Sequence, residues 1–133
     1  MAKVDVYQDW LANEGYRPTI DKDGDLVFKF EGGTYILFAN EDDKMYFRLT
    51  FPSFWPIEND DERERARRAI DQTNATIKVA KLYFTDEDNN IWAAIEMLVP
   101  EPEMVKDIFD RSIRILKASV NEFRTRMNVG NLN

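Results

Sequence analysis

Hydrophobic positions change their period along this chain, and each change predicts an element. Val6, Trp10 and Leu11 recur at helical spacing, and Gly15 stands where a left-handed residue commonly ends a helix, so Val4 to Glu14 reads as an amphipathic helix. Arg17-Pro18-Thr19-Ile20 is then extended, because a residue before proline is pushed out of the helical region. A period of two follows, with Leu26, Phe28 and Phe30 alternating with Val27, Lys29 and Glu31. Gly32-Gly33 turns the chain into Thr34 to Ala39, and Asn40 to Asp43 turns it again into Met45, Phe47, Leu49 and Phe51. These three strands read as an antiparallel meander.

Prolines in Phe51-Pro52-Ser53-Phe54-Trp55-Pro56 end the meander, since proline cannot sustain a central ladder. Asn59-Asp60-Asp61-Glu62 then fits a capping box, and Ala66, Ala69, Ile70 and Thr73 form a narrow face suited to close packing on a sheet. Ile77 to Phe84 and Ile91 to Val99 read as two further strands around the turn Asp86-Glu87-Asp88-Asn89-Asn90. From Glu103 to about Met127, Val105, Phe109, Leu116, Val120, Phe123 and Met127 make one helical stripe. The predicted fold is α+β: a mainly antiparallel five-stranded sheet with three helices in the order α-β-β-β-α-β-β-α. Residues 1–127 form a single domain in this reading, and 128–133, lacking any such pattern, form a flexible tail.

Composition narrows the chemistry. The 133 residues include no Cys and no His, which removes thiolate nucleophiles, Ser-His-Asp triads, disulfides and the usual zinc, copper and haem sites. A formal charge of −7 opposes a broad nucleic-acid surface, which needs a basic footprint. Neither a signal peptide nor an apolar run long enough to span a membrane is visible, so a cytoplasmic protein is expected.

The acidic turns invite a metal reading. Asp21, Asp23 and Asp25 fill positions one, three and five of a calcium loop, but Leu26 stands where glycine is needed and Glu31 falls one place short of the bidentate glutamate. The turn at Asp86 repeats the fault, with Ile91 in the glycine position and Glu96 one short. Both are better read as tight turns, although three acidic turns crowded at one end of the sheet could still attract a divalent ion. Arg63, Arg65, Arg67 and Arg68, and later Arg111, Arg114, Lys117, Arg124 and Arg126, follow acidic helix starts, the order that a helix dipole favours. No carboxylate pair is marked out for catalysis, and no cofactor is implied.

Recognition is best sought among the aromatics. Phe51, Phe54 and Trp55 lie on a segment stiffened by two prolines, as suits an interface anchor, although the same rings could plug the core. Alternation places Trp92 on the face opposite Ala93 and Ile95, with Ala94, Glu96 and Leu98. These four aromatics, Phe51, Phe54, Trp55 and Trp92, are the candidate partner-binding residues.

Three features together resemble the YbjN-like family, also labelled bacterial sensory transduction regulators. They are the helix exit Glu14-Gly15-Tyr16, the acidic turn before the first strand, and Ala69-Ile70-Asp71-Gln72-Thr73-Asn74 followed by Ile77-Lys78-Val79. The resemblance implies the fold of type III secretion chaperones, which are typically dimers that hold extended segments of client proteins. The expectation is therefore a non-enzymatic protein-interaction, chaperone-like or regulatory domain, forming a homodimer and binding no nucleic acid or membrane. The alternative is a module sensing a small ligand or divalent ion through its acidic turns or an inter-helix pocket.

Overall fold

The computed structural model describes residues 1–131 and shows one six-stranded antiparallel sheet with helices packed on one side. Helix α1 (Lys3–Asn13) leads into β1 (Thr19–Ile20), β2 (Leu26–Phe30), β3 (Gly33–Leu37) and β4 (Tyr46–Phe51). After α2 (Asp60–Thr76) come β5 (Ala80–Thr85), β6 (Asn90–Leu98), a 3-10 turn (Pro102–Asp107) and α3 (Phe109–Asn131). The strands lie in the order β1-β2-β3-β4-β6-β5.

The α+β class and the meander agree with the sequence reading, while the strand count of five is corrected to six. The added strand, β1, is two residues long, with Thr19 opposite Val27 and Ile20 opposite Leu26. Two residues are too few to display a period. The long final helix is also divided, since Pro102 opens a 3-10 turn and α3 begins only at Phe109. At its other end α3 continues to Asn131, so Asn128 to Asn131 extend the helix rather than beginning the expected tail; the last two residues lie outside the described residues.

Local chemistry sets the ends of the elements. Gly15, at φ +92°, lets the α1 exit wrap so that the Tyr16 N–H donates to the Leu11 carbonyl at 3.0 Å. The Asn59 side chain caps α2 by accepting from the Glu62 N–H at 2.8 Å, and the Glu62 carboxylate reaches back to the Glu58 N–H at 2.9 Å. Between β2 and β3 the two-residue loop Glu31-Gly32 has positive φ at both positions, as a type I′ hairpin requires.

The core lies between the sheet and α3. Phe109, Ile113, Leu116, Val120 and Phe123 of α3 meet Leu26, Phe28, Phe47, Leu49 and Ile95 of the sheet, all buried. Tyr35 is buried there too, with a hydroxyl that has no hydrogen-bond partner. Burial, with the charge of Glu31 adding to it, pushes this phenol up to about 12. A raised folded pKa means that its contribution is intact below the ordinary phenol value and is lost as pH rises through the folded one. Tyr35→Phe is therefore expected to stabilise the domain by about 1 kcal/mol at neutral pH, with an advantage that widens above about pH 10. Urea titrations at the two pH values check this; a variant less stable than wild type contradicts it.

Candidate interaction surface

All three helices pack on one side of the sheet, and among the described residues no helix lies over the opposite face, where Thr50 and Ala94 are nonetheless buried by their surroundings. Strand alternation sends Phe47, Leu49, Ala93 and Ile95 inward and leaves Arg48, Thr50, Trp92, Ala94, Glu96 and Leu98 outward. Neighbouring strands extend this outer face with Val27, Ile36, Phe38, Lys81 and Tyr83. Arg48 organises its centre. The guanidinium lies 4.3 Å from the Phe38 ring and 6.0 Å from the Trp92 ring, donates to the Tyr83 hydroxyl at 2.8 Å, and lies 3.9 Å from Glu96.

Lys81 completes the network through Glu96 at 2.9 Å. Burial alone would raise the Glu96 pKa, yet donation from Tyr46 and Lys81 and the charges of Lys81 and Arg48 hold it below the ordinary carboxylate value. Tyr46 responds in the opposite sense and is pushed up to about 12, by burial first and then by its bond to Glu96. The consequence is a half-exposed aromatic platform with its charges mutually engaged, and with Leu98 at its edge 70% exposed.

The four predicted aromatics divide between the two sides of the sheet. Phe54 is buried, packing edge-on against Phe51 at 5.8 Å and Phe123 at 5.6 Å. Half-buried Trp55 also meets Phe123, at 5.4 Å, and half-buried Phe51 meets Tyr35 at 4.7 Å. These three rings close the core beneath α3. Trp92 alone is on the open face, where its indole N–H donates to Ser53 Oγ at 3.2 Å. Arg48, Phe38 and Tyr83 were not singled out by sequence, although their outward register in the predicted strands carries the signal.

The free edge of β5 is occupied differently. Asn74, near the end of α2, donates from its amide to the Leu82 carbonyl at 3.1 Å and accepts from the Leu82 N–H at 2.8 Å. One side chain thus takes both ladder positions of Leu82, as a neighbouring strand would.

The acidic turns do not converge. Asp21–Asp25 and Asn40–Asp43 share one end of the sheet, linked by the Ala39 N–H donating to Asp25 Oδ1 at 2.9 Å. The turn after Thr85 lies at the other end, beyond the Phe51–Ala93 pair. This corrects the expectation of three turns crowding one end; antiparallel pairing of β4 with β6 carries the third away. Asp21 Oδ1 accepts from the N–H groups of Asp23 and Asp25, both at 2.9 Å, as an Asp-led turn does. Among the described residues no three acidic side chains group as metal ligands. Several of the basic residues are similarly engaged: Arg63 binds the Asp88 carbonyl and Asn89, while Arg114 and Lys117 both pair with Glu31.

Comparison with known proteins accords with this architecture. The family model YbjN, described as "Putative bacterial sensory transduction regulator", matches residues 3–128. The chain belongs to the YbjN family. The match spans nearly every element, from α1 through most of α3, and includes the α2–β5 junction that carries Asn74. No curated protein matches the chain. Among solved structures, the crystal structure of an uncharacterized protein from Methanothermobacter thermautotrophicus aligns with a TM-score of 0.67 at 11% identity, over 95% of this chain and 96% of that one. The likeness is one of fold. No helix among the described residues of this YbjN-family chain is long and apolar enough to cross a membrane.

Proposed function

We propose that this YbjN-family protein is a non-enzymatic protein-interaction domain that forms a homodimer through the open face of its sheet. The observation that supports the reading is the aromatic platform of Phe38, Tyr83 and Trp92 around Arg48, on a face no helix covers. Self-pairing suits it because an isologous contact sets a patch against its own copy. Arg48 and Lys81 share Glu96, so the three groups carry one surplus positive charge, a small like-charge term when the patch meets its copy. In this arrangement the protein acts as secretion chaperones do, holding an extended segment of a client on surface that the pairing leaves free, or regulating a partner by such contact. Face contact is favoured over strand addition because Asn74 occupies the Leu82 position of the β5 edge.

Sedimentation across micromolar concentrations tests the proposal. Wild type is expected to sediment as a dimer, and the double variant Trp92→Ala, Leu98→Asp as a folded monomer with an unchanged far-UV circular dichroism spectrum. Loss of a central aromatic anchor corresponds to about 2 kcal/mol or more, roughly thirtyfold in dimer affinity. A monomeric wild type, or a variant that still dimerises with wild-type affinity, would overturn it.

A further inference from the structure

On the helix side, away from the open sheet face, a cleft of about 320 Å³ lies between the start of α3 and the ends of β5 and β6. Its walls are apolar: Ile95 and Met97 from β6, Ile108 and Ile115 from the α3 side, and Val79 ahead of β5. That volume is at the small end of the range of ligand cavities, about 300–1,000 Å³. A small molecule with an apolar body fits it better than a folded element.

Val79 is held there under strain. A β-branched residue at φ +69° is a backbone outlier, and the Ala80 N–H donating to the Lys78 carbonyl at 2.7 Å closes a tight γ-turn around it. The side chain is nevertheless 54% exposed, so its packing in the core does not explain the strain. Strain kept at the rim of a cavity is characteristic of binding sites.

The polar groups at the mouth define the ligand's other end. Asp107 and Arg111 are one helical turn apart and both line the cleft, yet among the described residues they form no ion pair with each other. Beside them Ser112, only 4% exposed, lines the same cleft. An aliphatic acid would engage Arg111 and leave Asp107 unmatched, and an amine would engage Asp107 and leave Arg111 unmatched. A zwitterion satisfies both, with its ammonium toward Asp107, its carboxylate toward Arg111 and the Ser112 hydroxyl, and its side chain among the isoleucines. We infer that this cleft is a receptor site for a free α-amino acid with an apolar side chain.

Isothermal titration calorimetry and thermal melts of the full chain with L-leucine, L-methionine and L-phenylalanine test the inference. At least one is expected to bind at or below millimolar concentration and to raise the melting temperature. N-acetyl-L-leucine and L-leucinamide, each lacking one charge, should bind at least about tenfold more weakly than L-leucine. Arg111→Gln and Asp107→Asn, both exposed substitutions, should each weaken the amino acid by about tenfold with an unchanged circular dichroism spectrum. No heat from any of the three up to about 10 mM, tighter binding of octanoate than of every amino acid, or affinity indifferent to both variants would overturn the assignment.

Discussion

Truncating Phe109 to Ala is expected to lower stability by about 3–5 kcal/mol, the range for a fully enclosed aromatic ring. The ring is 0% exposed and meets three others: Trp10 at 4.9 Å, Tyr16 at 5.7 Å and Phe28 at 5.8 Å. Those partners come from α1, from the segment leaving α1, and from β2, so one side chain joins the opening helix to the sheet and to the start of α3. Its loss removes the transfer energy of the ring and leaves a cavity whose stiff aromatic walls cannot collapse to fill it. A urea titration should show a lower midpoint with the slope retained. A loss under about 1 kcal/mol would mean that α1 is not held by this cluster.

Lys3→Met is expected to cost about 2–3 kcal/mol although it replaces a charged residue with an apolar one of similar length. Lys3 is 1% exposed, and its Nζ donates to the carbonyls of Asp43 at 2.8 Å and Tyr46 at 2.5 Å. Its backbone N–H donates to the Glu41 carboxylate at 2.7 Å. Burial holds the amine below the ordinary lysine pKa, while the nearby Asp43 and Glu41 charges oppose that shift. Methionine would keep the stem packed near Tyr7 but leave the carbonyls of Asp43, in the β3–β4 connection, and Tyr46, at the start of β4, without this donor. Thermal melts check the loss, and hydrogen exchange should show faster opening across Asn40 to Tyr46. A variant as stable as wild type would show that water replaces the ammonium without cost.

These two sites also mark what the sequence could and could not reveal. The α1 exit at Gly15, the alternation of β2 and β4, the cap at Asn59 and the inner stripe of α3 are local patterns, and each was legible because its signal repeats or sits at a fixed offset. Trp92 was placed on the correct face for the same reason. Phe51, Phe54 and Trp55 lie in a segment without a period, so nothing in their spacing could say that Phe54 points inward. Lys3 was illegible for another reason, since a lysine near the chain start is ordinarily solvated and only the folded β3–β4 connection supplies its carbonyls. Val79 falls within the predicted strand Ile77 to Phe84, whereas α2 persists to Thr76 and β5 begins only at Ala80, with a γ-turn at Val79 between them.

The contact between Asn74 and Leu82 bears on how large an assembly of this chain can grow. Growth of one sheet onto another, edge by edge, has no natural stopping point, because each added strand presents a fresh edge. Here one edge is short, the two residues of β1 and the remainder of β2 beyond them, and the other is filled at Leu82 by a side-chain amide. A twofold pair joined through the open faces, by contrast, consumes the surface that makes it. If the chain pairs as proposed, Asn74 bears on the size of the assembly as well as on the end of a strand, favouring a finite pair over a fibre.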